Sequence, residues 1–176
     1  MAGQAIKTDG RMSDEAEKIV KVGPISGFPE WLPEERIAEL RLLDTIRETY
    51  ERFGFAPIET AAVERQDVLT AKGGVQRQIF GLNRPSDDAE DGAGQALALH
   101  FDLTVPTARY VVQNERDLSF PWRRYQHQKV WRGERAQRGR FREFAQFDID
   151  IIGREKLDEL HDAEVVVVTA RVLEEL

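Results

Sequence analysis

The segment Arg142–Ile152 constrains this chain of 176 residues more than any other part of it. Side chains alternate faces along a strand. Ala145, Phe147, Ile149 and Ile151 therefore point one way, toward a layer of helices, and Gln146, Asp148 and Asp150 point the other. Aspartate is depleted in strands, and two aspartates two residues apart on one face repel each other. Such a face is either wet, as on an ordinary half-exposed strand, or it meets a cation or a donor-rich ligand.

The preceding segment, Arg124–Glu134, follows the same logic: Gln126, Gln128, Arg132 and Glu134 share one parity. Between the two strands lies Arg135-Ala136-Gln137-Arg138-Gly139-Arg140-Phe141, too long for a two-residue hairpin turn. Charge is concentrated here. From Trp122 to Glu143 eight Lys and Arg residues face only Glu134 and Glu143, a local +6 on a chain of net −7, which leaves −13 elsewhere. An isolated basic strip on an acidic protein suggests a localised anion site, where a planar guanidinium can lie against a phosphate. The same charge is also compatible with a solvated Arg-rich hairpin. An anion site and a cation site on one sheet face would suit a nucleotide together with a zwitterionic amino acid.

Helices and shorter strands surround this pair. Residues 1–24 read as a polar leader, with a short helix possible over Met12–Val22. Three prolines make Pro24–Pro33 extended or turned. Pro33 opens a helix with Glu34 and Glu35 in its first turn. Its stripe of Ile37, Leu40, Leu43, Ile46, Tyr50 and Phe53 predicts core packing, and Gly54 ends it. Strands are expected over Phe55–Val63, Gln76–Leu82 and Gln95–Phe101, a short helix over Gln66–Lys72, and an acidic flap over Arg84–Gly94. Asp102 is placed to cap a helix through Ala108 and Val112. A final helix is expected over Glu155–Leu176 with Leu157, Leu160, Ala163, Val167, Ala170 and Leu173 on its inner face, although the β-branched run Val165–Val168 allows a buried strand there. The whole reads as an α+β domain: a mainly antiparallel sheet flanked by helices.

Composition removes competing chemistries. With no cysteine there is no disulfide framework, Cys-ligated zinc or thiol catalysis, and cytoplasm is the default compartment. No apolar run approaches a membrane span, and the N-terminus lacks the apolar core of a secretory signal. No P-loop pattern occurs, no GxGxxG follows a strand, and His100, His127 and His161 lack metal-ligand spacing. No serine sits in a nucleophile elbow.

At this level of detail the residues resemble a known family. WRGERAQRGRFREFAQFDIDIIG (Trp131–Gly153) resembles motif 2 of the class II aminoacyl-tRNA synthetases in the form carried by histidyl-tRNA synthetases. LHFDLTVPTARY (Leu99–Tyr110) resembles that family's amino-acid-binding segment, and SGFPEWLPEE with the long helix and GFAPIETAAVE resembles its entry and motif 1. The resemblance spans residues 24–176 in order. It implies a partial class II catalytic core, with residues 25–176 as its N-terminal portion holding motifs 1 and 2 and lacking motif 3.

The resemblance also implies roles. Arg132 would be the catalytic arginine that clamps the ATP α-phosphate and the histidine carboxylate. Glu134 and Arg140 would contact ATP. Asp102 and Thr104, with Leu103 shaping the backbone, would hold the histidine ammonium together with Gln146, and Asp150 would lie at the pocket floor. Mg²⁺ would accompany ATP, and no metal ligands are assigned. Histidine, ATP and tRNA(His) are the implied partners, with a homodimer and no membrane. The implied function is a histidine–tRNA ligase, of which this stretch would be an N-terminal piece, inactive alone. The alternative is a synthetase-like, histidine-sensing regulatory subunit of ATP phosphoribosyltransferase; retention of Arg132, Glu134 and Arg140 favours the ligase. Four positions depart from the family pattern. Ala61 and Ala136 stand where prolines are usual, His100 where an arginine is, and Ala145 where His or Tyr is.

Overall fold

The computed structural model describes residues 22–71, 73–74, 76–83 and 96–176. The expected acidic flap, and all of the leader but its end, lie outside the described residues.

Helix α1 runs Pro33–Arg52. The Leu32 amide donates to the Glu35 carboxylate at 3.0 Å, which ties down one of the orphan N–H groups at its start. Gly54 adopts φ 77°, and the Phe55 amide returns to the Tyr50 carbonyl at 3.1 Å, so the chain leaves the helix through a left-handed residue. Only the second half of the predicted stripe is covered. Tyr50 is buried, with Ile46 and Phe53 packed beside it, whereas Ile37 and Leu40 are 52% and 44% exposed.

Two three-stranded sheets follow. In the first, β1 (Ala56–Ile58), β5 (Trp122–Trp131) and β6 (Glu143–Ile152) lie in the order β1-β5-β6; β1 is parallel to β5, and β5 is antiparallel to β6 along its whole length. In the second, β2 (Val63–Arg65), β4 (Leu97–Leu99) and β3 (Gly81–Leu82) lie in the order β2-β4-β3, all antiparallel. Helix α2 is Gln66–Thr70, α3 is Thr104–Asn114 and α4 is Leu160–Glu175. The α+β reading with a predominantly antiparallel sheet holds. Tyr50, Phe55, Tyr125, Val168 and Val172 form the core, joined by Phe147, Ile149 and Ile151 from the apolar face of β6.

Three local expectations are corrected. The single strand over Phe55–Val63 is two strands in different sheets. The break falls at Thr60, whose amide and carbonyl are both taken by the Gln128 side-chain amide, at 3.0 and 2.7 Å, instead of by a neighbouring strand. Gln76–Leu82 is a 3₁₀ turn over Gln76–Gln78 followed by the short β3, because the Gln78 carbonyl accepts from the Gly133 amide at 2.7 Å.

The third correction concerns α4. It begins at Leu160, is helical through Val165–Val168, and turns a different face inward. Leu160, Val167 and Leu173 are exposed, while Val168 and Val172 are buried. Ion pairs at both ends set this rotation: Glu164 meets Arg123, and Glu175 meets Arg52 and accepts from Thr49 at 2.8 Å. Glu164, Val168, Val172 and Glu175 share one stripe.

Finally, the segment around Gly27 crosses the β5–β6 loop. The Gly27 carbonyl accepts from the amides of Arg142 and Glu143 at 2.7 and 3.1 Å, and Trp31 packs edge-on against Phe141 at 6.2 Å.

Candidate active site

The long β5–β6 pairing places the polar side chains of the two strands directly opposite one another. Arg124 faces Asp150, Gln126 faces Asp148, and Gln128 faces Gln146. They occupy the side of the sheet away from the Tyr50–Val168 core, as the alternation predicts.

At the loop end of this face stands Arg132. Its guanidinium lies over the rings of Phe101 and Phe144, at 4.6 and 5.0 Å. Its Nε donates to the Phe101 carbonyl at 3.3 Å, and a terminal nitrogen reaches the Gln146 side-chain oxygen at 3.5 Å. The ring contacts hold the planar group flat, with limited rotational freedom. Phe101 is brought alongside by backbone bonding between the sheets: the Trp131 amide donates to the His100 carbonyl at 3.2 Å. The buried His100 ring stacks near Trp131 and places Nε2 at 2.7 Å from the Lys129 carbonyl. A carbonyl only accepts, so Nε2 is the donor in this contact, and Nδ1 has no hydrogen-bond partner among the described residues.

Glu134 and Arg140 close on each other as an ion pair across the β5–β6 loop. With Arg132, Gly139, Phe141 and Phe144 they line a hollow of about 190 Å³. The three residues expected at ATP thus share one concavity.

The residues expected at the amino acid are more dispersed. Gln146 donates to both carboxylate oxygens of Asp148, at 2.9 and 3.1 Å, which orients its oxygen toward Arg132. Asp102 adjoins Phe101, and its carboxylate accepts from the Val105 amide at 3.3 Å, so it caps α3. Leu103 is fully buried beneath the first turn of α3. Thr104 is exposed and lines a largely apolar groove with Val68, Val105, Ala108 and Val112. Asp150 pairs with Arg124 at the opposite end of the face from Arg132. Burial raises the Asp150 carboxyl above its ordinary range; Arg124 opposes that and Asp148 adds to it.

Sequence reasoning missed the polar layer under this face. Gln126 is fully buried. It accepts from the Thr107 hydroxyl at 2.9 Å and from Arg124 at 3.3 Å, and donates to the Thr60 hydroxyl at 2.9 Å and to Gln128. One amide thereby joins α3, β5 and the β1–β2 connection. Arg124 belongs to the basic strip and opens the Arg124–Glu134 strand. Its strand parity with Gln126 and Gln128 was the available signal.

Among the described residues no group of three or more His, Asp, Glu or Cys side chains is gathered to hold a metal, and no helix is long and apolar enough to cross a membrane.

A family model described as "Histidyl-tRNA synthetase" matches residues 27–176. The histidine–tRNA ligase of Thermobifida fusca is 52% identical over 157 residues, 89% of this chain and 36% of that protein. The crystal structure of histidyl-tRNA synthetase from Nostoc sp. PCC 7120 superposes with a TM-score of 0.76 at 48% identity, covering 88% of this chain and 34% of that one. A structure from Bacillus halodurans, described as an ATP phosphoribosyltransferase regulatory subunit/histidyl-tRNA synthetase, superposes with a TM-score of 0.73 at 26% identity, covering 90% of this chain and 39% of that one. The fold is part of a class II aminoacyl-tRNA synthetase catalytic core. Within that class, the chain belongs to the histidyl-tRNA synthetase family. It spans about a third of the length of the curated relatives it matches.

Proposed function

We propose that this chain supplies the histidine-activating face of a histidine–tRNA ligase. The observation that carries the reading is the placement of Arg132, pinned between Phe101 and Phe144, with one N–H turned to Gln146 and the Glu134–Arg140 hollow at its side.

In this reading a histidine carboxylate oxygen attacks the α-phosphorus of ATP. The bond to the β-phosphate oxygen breaks, and pyrophosphate leaves. Arg132 lies against both the carboxylate and the α-phosphate, and it stabilises the negative charge that builds on the equatorial oxygens. Because its guanidinium is already flat and fixed, little reorganisation is needed as that charge develops. Glu134 and Arg140 open their mutual pair to hold the nucleotide. Gln146 and Asp102 accept from the histidine ammonium, while Leu103 holds the backbone that aims Asp102 and Thr104 borders the same segment. Asp150 accepts from an N–H of the substrate at the pocket floor. In the second step the terminal ribose hydroxyl of tRNA(His) attacks the adenylate carbonyl, and AMP leaves. No protein nucleophile is required. Mg²⁺ would enter on the ATP phosphates, and no protein ligand is assigned to it.

The reading extends to a cytoplasmic homodimer in which residues 25–176 are the N-terminal portion of the catalytic domain. The decisive test is histidine-dependent exchange of pyrophosphate into ATP by the full-length polypeptide that carries these residues. Arg132→Ala should lower the exchange kcat by roughly a thousandfold, the range of a lost charge-stabilising donor. Undiminished exchange would remove Arg132 from the phosphate. Histidine binding with no exchange in the unaltered protein would favour a histidine-sensing regulatory role instead.

A further inference from the structure

Arg124 is the most deeply buried cation among the described residues, at 1% exposure. It lies directly across from Asp150, and the two form an ion pair. Asp150 is 45% exposed, so the pair is layered, with the cation beneath and the carboxylate at the surface of the pocket. A second Arg124 nitrogen donates to the Gln126 oxygen at 3.3 Å, and its Nε has no hydrogen-bond partner among the described residues.

Stability alone does not explain this arrangement. Burying a guanidinium with one N–H unsatisfied is costly, and well-packed apolar residues commonly replace buried ion pairs without loss. Asp150 also stands two residues from Asp148 on the same face, so a second negative charge works against its ionisation. Among the described residues, Arg124 from β5 and Asp148 from β6 are the charged groups acting on Asp150, and from α3 the uncharged Thr107 bonds to Gln126 beside them.

We propose that Arg124, itself out of reach of any ligand, is the positioning residue that fixes both the charge and the direction of the Asp150 carboxylate, and thereby sets the pocket floor to accept an N–H of the substrate. The proposal rests on the reading of this face as a histidine pocket. Arg124 stays charged at any working pH, since a guanidinium does not give up its proton in proteins. Its pull offsets the upward push that burial and Asp148 exert on Asp150. Without it, Asp150 would take up a proton at a higher pH and lose the negative charge that makes it a strong acceptor as the pH falls. The hydrogen bond through Gln126 holds the guanidinium in line, so the carboxylate has one preferred direction.

The test uses the full-length polypeptide with Arg124→Gln, which keeps an N–H but removes the charge, and Arg124→Lys, which keeps the charge. Two readouts are taken: the titration of the Asp150 carboxyl by carbon-13 NMR, assigned against Asp150→Asn, and the KM for histidine relative to the unaltered protein between about pH 5.5 and 8. Arg124→Gln should move the Asp150 titration up by about one pH unit, equivalent to tenfold in the proton equilibrium. Its relative KM for histidine should climb as the pH falls, with the KM for ATP unchanged. Arg124→Lys should restore both profiles. An Asp150 titration unmoved by Arg124→Gln, or moved equally by Arg124→Lys, overturns the proposal. A titration that moves while the histidine KM stays flat supports the action of Arg124 on Asp150 and overturns the histidine-pocket reading. If Arg124→Gln does not fold, Asp148→Asn on the exposed side should shift the same titration downward; no shift overturns the charge coupling.

Discussion

Arg123 on β5 grips Glu164 on α4 with two guanidinium nitrogens, one at 2.9 Å, while also donating to the carbonyl of Phe53 at the end of α1. Its guanidinium covers the Phe55 ring at 4.7 Å. One side chain thus joins both helices of the core layer to the sheet.

The pair makes stability dependent on acid. Arg123 holds the Glu164 carboxyl down at about 2, with His161 assisting. A depressed carboxylate contributes its stabilisation fully above its unfolded pKa, and loses it as pH falls through the folded value. Glu164→Gln should therefore lower stability at neutral pH by about 1 kcal/mol, allowing for solvent screening of a partly exposed pair. The difference should shrink between about pH 4.5 and 2. Denaturant melts at stepped pH check this, and a pH-independent gap would refute it.

At Asp102 the cap and the charge separate cleanly. Asp102→Ala removes the acceptor for the Val105 amide and should cost about 1 kcal/mol. Asp102→Asn keeps the cap and should leave the melting midpoint in place. In pyrophosphate exchange the Asn variant should raise the KM for histidine about tenfold or more, as expected for a lost charged contact, with a smaller effect on ATP. Equal losses for both substrates would argue against an ammonium contact.

Gln126→Leu should destabilise by about 2–3 kcal/mol, because Thr107, Thr60 and Arg124, all buried, would each lose a partner. Gln126→Glu keeps the acceptor oxygens but brings in a second carboxylate beside Asp148, so its effect should grow with pH. Chemical denaturation measures the first effect, and its pH series the second.

Gly27 has φ 85°, and a Cβ there would meet the Arg142 side chain at 2.9 Å and Ala136 at 3.0 Å. Gly27→Ala should cost at least about 1 kcal/mol from the left-handed backbone alone. It should also raise the KM for ATP by displacing the base of the Glu134–Arg140 loop. A melt together with substrate saturation curves tests both halves.

Much of this arrangement was legible in the sequence because it depends on local periodicity. The second half of the α1 stripe, the strand alternation from Phe147 to Ile151 and the capping aspartate follow from spacing alone, whereas Ile37, Leu40 and Ala145, read as inward-facing, are exposed. The polar face carrying Gln146, Asp148 and Asp150 followed from the same alternation. What escaped depends on partners distant in sequence. The inner face of α4 was not readable, since Leu160, Val165–Val168 and Leu173 make the helix apolar on several sides, and Arg52 and Arg123 decide its rotation. The division of Phe55–Val63 depends on a glutamine side chain 68 residues away. The parity Arg124 shares with Gln126 and Gln128 puts it on the polar face, but spacing does not say that its guanidinium is buried.

The crossing of Gly27 over the β5–β6 loop makes that hairpin a poor module. The contact from Arg142 to Ser26 spans 116 residues, so the loop's geometry is inherited from a part of the chain far upstream. A β5–loop–β6 unit grafted onto another scaffold would carry Arg132, Glu134 and Arg140 but leave behind the backbone that braces their base. Transplanting the chemistry means transplanting the crossing segment as well.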